Sequence, residues 1–356
     1  MRAMQSDYMH WAKFKAPVRF GLTGSEVPHF RMDSLPITMA DLDLDGASHP
    51  RYAPLRERIA RRYGVSTEQV VAADGTSMAN FVALAALVEP GDEVLLERPA
   101  YDPLPAAASF LGATVTRFDR RPEEGFRLDV ERIAATANER TRLILVTNLH
   151  NPSSALAGED ELAAVGEVAR RVGARVLVDE VYLDSAVPPR RSAVHLGPQF
   201  VVTNSLTKVH GLSGLRCGWI LAEPALAERM WRVNDLFGVN QAHSAERLAC
   251  IAFDRIDAVL GRTPEMLRRN REAFNAFVTE RDDVDCIPAK HGITAFPRWA
   301  GGDTERLDDR LHEFDSAVVP GRWFEMPEHF RIGFGYPADH FDEGLKRLGA
   351  ALDLFR

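Results

Sequence analysis

Three short apolar runs of this 356-residue chain each end in a group that could do chemistry. Leu143–Thr147 leads into Asn148-Leu149-His150-Asn151-Pro152, Val176–Val178 ends in Asp179-Glu180-Val181-Tyr182, and Val201–Asn204 runs into Ser205-Leu206-Thr207-Lys208. An amide, a carboxylate with a phenol, and a primary amine thus arrive in order, at intervals of roughly 30 residues, about one βα unit each. Taken singly they are ordinary: Asn-Pro makes turns, an Asp after a strand caps the next helix, a loop Lys is a solvated charge, and a Tyr is core with a wet hydroxyl. Their joint order asks for more. An amine can condense with an aldehyde, a carboxylate can keep a ring nitrogen protonated, and an amide and a phenol can hydrogen-bond a ring oxygen. Gly75-Thr76-Ser77, at the start of an apolar helical run, adds unpaired backbone N–H groups suited to an anion, and Arg216 stands eight residues after Lys208. Pyridoxal 5'-phosphate, with an aldehyde, a pyridine nitrogen, a ring hydroxyl and a phosphate, needs all of these groups at once.

Elements able to position those groups are legible around them. Strand-like runs at Val94–Glu97, Thr141–Thr147, Arg175–Asp179, Phe200–Ser205 and Gly218–Ala222 alternate with helical patterns, which predicts a mainly parallel sheet with helices on its faces. In such sheets the binding crevice lies outside the carboxyl ends of the strands, where these residues fall. Leu162, Val165, Ala169 and Val172 make one apolar stripe over Glu159–Val172, predicting an amphipathic crossover helix. Thr76–Val88 is apolar almost throughout, so that helix should be buried. After about residue 245 the texture changes to helical pieces rich in Arg and Glu, with short strands expected at Gly292–Pro297 and Phe330–Phe334. The expected fold class is α/β: a three-layer αβα large domain over residues 45–245, plus a smaller α+β domain made from residues 1–44 and 246–356.

Composition removes other classes. With 46% hydrophobic and 26% charged residues the chain reads as soluble and globular, which excludes disorder, collagen and a small disulfide-stapled scaffold. Forty-three Lys plus Arg against 51 Asp plus Glu give a net charge of -8, so no positive field attracts a nucleic acid. Cys217, Cys250 and Cys286 form no C-x-x-C pair, which fits a reducing cytosol and leaves no cysteine zinc site. Met1 to Trp11 lacks the apolar run of a signal peptide, and no stretch approaches the ~18 apolar residues of a membrane span. A cytoplasmic protein without membrane anchor or metal is expected. No repeat, G-x-S-x-G elbow or H-E-x-x-H pair occurs, and Gly211, Gly214 and Gly218 lack the G-x-G spacing of a dinucleotide loop.

The segment from Ser205 to Arg216, taken with Asp179-Glu180-Val181-Tyr182, resembles the pyridoxal-phosphate enzymes of the aspartate aminotransferase fold, class I and II (fold type I). The resemblance runs from about Tyr52 to Arg331. It implies that Lys208 is the Schiff-base lysine, that Asp179 partners the pyridinium nitrogen, and that Asn151 and Tyr182 bond the ring oxygen. It further implies that Gly75, Thr76, Ser77, Ser205 and Arg216 hold the phosphate and that Tyr101 stacks on the cofactor face. Arg331, after Pro320-Gly321-Arg322, matches the arginine that forks the substrate carboxylate, and Gly24-Ser25-Glu26 resembles the segment that closes over the substrate, bringing in Ser25. Lys208, Asp179 and Tyr182 would be the catalytic set, Arg331, Asn151 and Ser25 the substrate-binding one. The activity implied is transamination between an α-amino acid and a 2-oxo acid, in a homodimer. The same electron sink serves a C–S β-lyase or an amino-acid decarboxylase, and a non-catalytic sensor module is a remote alternative.

Two departures stand out. Relatives follow Asn-Pro with Thr-Gly, where this chain has Ser153-Ser154. Many also place a Tyr several residues ahead of an early Leu-Arg; here Tyr52 stands too close to Leu55-Arg56 to fit cleanly, Tyr52 and His49 are the two candidates to substitute, and the position is left out of the expected site.

Overall fold

β-branched and aliphatic runs with no charge in their interiors form strands buried on both faces. A computed structural model of the protein describes residues 5–42, 44, 47 and 49–356. The boundary expected at residue 45, and residues 1–4 and 43 of the expected N-terminal segment, lie outside the described residues. Seven strands form the main sheet: β1 (Val70–Asp74), β2 (Glu93–Arg98), β3 (Thr114–Asp119), β4 (Thr141–Thr147), β5 (Arg175–Asp179), β6 (Phe200–Ser205) and β7 (Cys217–Leu221), in the order β1-β7-β6-β5-β4-β2-β3. The five strands from β6 to β3 run parallel, and β7 is antiparallel to both β1 and β6. The chain is therefore α/β with a mainly parallel sheet. The helix Glu159–Val172 has the bounds its apolar stripe predicts; it crosses from β4 to β5 and ends at Gly173 in the left-handed conformation.

Two apolar clusters sandwich the sheet. One joins Leu96, Leu145, Leu177 and Ile220 to Ala79, Val82 and Ala83 of the helix Gly75–Leu87, which is buried as its composition requires. The other joins Ile144, Val176 and Val202 to Leu162 and Val165. Register then does the positioning. Thr147 pairs with Asp179 and Asp179 with Thr203, so the ends of β4, β5 and β6 present one row of polar side chains. Ser205 pairs with Gly218, and Gly218 with Ala73, which brings the end of β6 beside the start of the helix Gly75–Leu87.

A third cluster unites Phe274, Trp299, Leu307, Phe330, Ile332 and Phe341 with Leu22 and Val27 of the N-terminal segment. Its strands are short: β8 (Val284–Asp285), β9 (Thr294–Ala295), β10 (Arg298–Trp299), β11 (Val319–Pro320) and β12 (Phe330–Gly333). β12 lies between β11 and β9, with Ile332 paired to Ala295 and Gly333 to Thr294. The Leu22 carbonyl accepts the Gly333 N–H at 2.8 Å, tying the N-terminal segment along this sheet. Among the described residues no helix is long and apolar enough to cross a membrane.

Leu177, in the middle of β5, is fully buried. Leu177→Ala should lower the free energy of unfolding by about 2–5 kcal/mol in urea denaturation, because the packed sheet cannot collapse onto the vacancy.

Candidate active site

The sheet row opens onto a cavity of about 870 Å³. Eleven of the twelve site residues expected from the sequence line it, and Gly75 lies directly behind Arg216. Asp179, the last residue of β5, is buried, and its two oxygens accept from different donors. Asn80 Nδ2 donates to Oδ2 at 2.7 Å and the Val181 N–H donates to Oδ1 at 3.0 Å. Asn80 is itself oriented by the Thr203 hydroxyl, which donates to its Oδ1 at 2.6 Å. Only its NH2 group is then left to face Asp179. Burial pushes the Asp179 carboxyl up to about 6, against the opposing pull of those two donors. Among the described residues no cation lies within ion-pair distance of it, although its neighbourhood holds an amine.

That amine is Lys208. Its Nζ donates to Ser25 Oγ at 3.2 Å, and the Ser25 hydroxyl also meets the Tyr182 phenol. Burial lowers the Lys208 pKa, the Arg331 and Arg216 guanidiniums push the same way, and Glu26 and Asp179 oppose them. Val27 N–H donates to the Lys208 carbonyl at 3.0 Å, so the N-terminal segment is fastened to the lysine loop by its backbone.

At the cavity's other end, Thr76 Oγ1 donates to Ser205 Oγ at 2.7 Å, and Arg216 reaches the Asp74 carbonyl with Nη2 at 3.1 Å. Two glycines make room there. A Cβ on Gly75, where φ is +81°, would run into the Arg216 guanidinium, and one on Gly218 would come within 2.5 Å of the Gly75 carbonyl carbon. Backbone N–H groups at the head of a 13-residue helix therefore face open space beside a guanidinium and two hydroxyls.

Arg331, from β12, is buried without a carboxylate partner among the described residues. Its Nη1 donates to Asn151 Oδ1 at 3.2 Å, its Nη2 to the Tyr8 hydroxyl at 3.1 Å and the Thr23 carbonyl at 3.2 Å, and Nε has no partner. A buried guanidinium with an unused edge suits a carboxylate. Tyr101 stands edge-on to Tyr8, ring centroids 5.7 Å apart, with its hydroxyl on Met9 Sδ at 3.1 Å.

The structure places the residues of both departures. Ser154 takes the left-handed conformation (φ 60°) that a glycine would adopt without a side chain. Tyr52 turns its ring edge onto His243, centroids 4.9 Å apart, and His49 also packs on that imidazole.

Sequence reasoning missed Asn80, Tyr8, Thr23 and Lys15, all of which line or orient the cavity. Asn80 was findable, since it lies one turn beyond Thr76 on the same helix face. Lys15 donates to Thr23 Oγ1, and burial lowers its pKa to about 8. Nothing local marks it, because its helix Asp7–Phe14 reaches the site only by docking.

Between the ordinary carboxylate range and about 6, the folded chain holds a proton on Asp179 that the unfolded chain has released. Stability of the cofactor-free protein should therefore fall as pH rises through that window, by about 1–3 kcal/mol attributable to this group. Urea unfolding at the two ends of the window should show this loss in the wild type, and Asp179→Asn should lack that part of it.

A sequence model described as "Aminotransferase class I and II" matches residues 44–348. The capreomycidine synthase of Streptomyces vinaceus is 32% identical over 304 residues, 84% of this chain and 78% of that protein. An arginine–pyruvate transaminase of Pseudomonas aeruginosa is 27% identical over 334 residues, 88% of this chain and 85% of the relative. Among solved structures, a PLP-dependent aminotransferase from Streptococcus suis superposes with a TM-score of 0.92 at 25% identity, covering 100% of this chain and 99% of that one. An aspartate aminotransferase from Thermus thermophilus, at 22% identity and a TM-score of 0.85 over 97% of this chain and 94% of that one, shares the fold. The chain belongs to the class I and II aminotransferases, pyridoxal-phosphate-dependent transferases that move an amino group between an α-amino acid and a 2-oxo acid.

Proposed function

We propose that Lys208 is the amine this aminotransferase joins to pyridoxal 5'-phosphate, that Asp179 partners the ring nitrogen, and that Arg331 takes the substrate carboxylate. The observation that carries this reading is the buried Asp179 carboxylate without an ion-pair partner, facing the same cavity as a lysine whose pKa burial lowers. A protonated pyridine nitrogen would supply the missing cation. The glycine cradle of Gly75 and Gly218, with Thr76, Ser77, Ser205 and Arg216, fits a phosphate, and Asn151 and Tyr182 are within the cavity to bond the ring oxygen while Tyr101 offers a ring face.

When bound, the cofactor supplies an electron sink for the pair left at the substrate α-carbon. The chain's residues do the rest. Arg331 holds the carboxylate by a charge-assisted fork and so fixes which α-bond faces the ring. Lys208 Nζ, with its lowered proton affinity, takes and returns the α-proton, and Ser25 and Tyr182 hold that amine in place. Asp179 keeps its partner nitrogen charged because its carboxylate has two fixed donors and little water.

We further propose that residues 45–245 form the cofactor domain, that residues 1–44 and 246–356 form the part closing over the substrate, and that the enzyme is a cytoplasmic homodimer. Leu236, Phe237 and Val239 are 79%, 50% and 63% exposed, an apolar stretch that a second copy would cover. The name of the arginine–pyruvate transaminase makes arginine and pyruvate the first pair to assay. A second reading, chemistry other than transfer on the same electron sink, is favoured by one observation: the relative at 32% identity is named a synthase.

Borohydride treatment of the cofactor-loaded enzyme should fix the label to Lys208 by peptide mass analysis; label on another residue would end this reading. Arg331→Ala should raise KM for every amino acid by about thirty- to hundredfold, the worth of a charge-assisted hydrogen bond. A panel of amino acids mixed with the yellow enzyme separates the two readings: bleaching with release of a 2-oxo acid means transfer, and consumption of the amino acid without bleaching means the synthase or lyase course.

A further inference from the structure

Ser154 stands where its conformation costs energy, and its hydroxyl shows what that conformation achieves. At φ 60° its Cβ crowds the following carbonyl, a conformation that non-glycine residues rarely adopt. Yet Ser154 Oγ lies 3.0 Å from Thr294 Oγ1 and accepts the Thr294 N–H at 3.2 Å, while Thr294 Oγ1 donates to the Pro152 carbonyl at 2.9 Å. The fit is close, since a Cβ on neighbouring Gly292 would run into the Ser154 side chain. Thr294 belongs to β9, and β9 is paired with β12, the strand that carries Arg331. Arg331 in turn donates to Asn151 Oδ1, three residues before Ser154.

These contacts close a ring: Asn151, Pro152, Ser154, Thr294, β9 with β12, Arg331 and back to Asn151. The far side of the loop is fixed as well. The Pro99 carbonyl can only accept, so His150 Nε2, 2.9 Å away, carries the proton, and Nδ1 is left to accept from the Ser153 hydroxyl at 2.6 Å. Burial keeps that imidazole neutral, as this tautomer requires.

We infer that Ser154 is a positioning residue: by bonding Thr294 it holds the loop of Asn151 and the strand of Arg331 at one separation before any ligand arrives. The inference rests on the reading above, in which Asn151 serves the cofactor ring and Arg331 the substrate carboxylate. A substrate fastened at both places then meets the ring without first ordering the loop, so the benefit falls on substrate binding more than on turnover.

Ser154→Gly removes both bonds and relieves the backbone strain, and Thr294→Val removes the hydroxyl from the other side. In each variant KM for the amino acid should rise about five- to tenfold with kcat changed less than twofold. The pH midpoint of the cofactor's visible band, which reports the hydrogen bond at the ring oxygen, should shift in the same variants. The rise in KM in the double variant should be smaller than the product of the two single effects, as expected where both substitutions remove the same hydroxyl–hydroxyl bond; a full product would overturn the inference. Wild-type KM and band midpoint in Ser154→Gly, with or without a lower melting temperature, would overturn the inference and leave Ser154 as a packing residue. Asn151→Ala and Arg331→Lys serve as controls. If they change KM or the band while Ser154→Gly does not, only the positioning role is lost; if they too behave as wild type, the reading of the site fails and the inference with it.

Discussion

A carboxylate buried at the end of a central strand, with hydrogen bonds but no ion pair, is the constraint around which this protein is arranged. Taking the charge of Asp179 out of water is unfavourable, and its carboxyl accordingly holds its proton up to about 6 in the free protein. Every neighbouring group acts to keep the oxygens available in one direction. Thr203 turns Asn80, Asn80 and the Val181 N–H occupy the near lone pairs, and strand pairing places Thr147 and Thr203 on either side. A cation arriving at the remaining lone pairs would restore the ionised form, which is the charge that the proposed protonated ring nitrogen would supply.

The other charges complement that one. Lys208, Arg216 and Arg331 come from a loop after β6, the approach to β7 and the distant β12, and among the described residues they share one cavity with only Glu26 and Asp179 as carboxylates lining it. Burial, and after it the two guanidiniums, lower the lysine's proton affinity, and the guanidiniums themselves are left in need of anions. A phosphate at the helix head and a carboxylate at Arg331 would meet that need from opposite ends of the cavity.

Ser153 and Ser154 show how a departure from the family pattern can be absorbed. A glycine at position 154 would have taken the left-handed conformation freely and bonded nothing. Serine takes it under strain and gains bonds to Thr294, which fastens the loop of Asn151 to the strands of the smaller sheets. Backbone bonds fasten the N-terminal segment as well, Val27 N–H to the Lys208 carbonyl and the Gly333 N–H to the Leu22 carbonyl.

The large sheet's inner strands could be read from the chain because each has an aliphatic, β-rich centre, and β4, β5, β6 and the helix Glu159–Val172 begin and end where polar signals stand. Edge elements were less legible. Thr114–Asp119 alternates apolar and polar residues and is only half-buried, and Val70–Asp74 merges into the apolar helix after it. Nothing in a period-two pattern states whether a strand runs parallel or antiparallel, so the reversed direction of β7 came from tertiary pairing alone. For the site, residue type and order along the chain nominated Lys208, Asp179 and Arg216, because chemistry restricts what an amine, an acid and a guanidinium can do together, whereas Arg331 entered only through the resemblance to the family. What only the folded chain decided was the company they keep: Asn80 aimed by Thr203, Tyr8 against Arg331, and Ser154 reaching Thr294. Those partners lie far apart in sequence, and only packing decides which hydroxyl or amide a buried charge will meet.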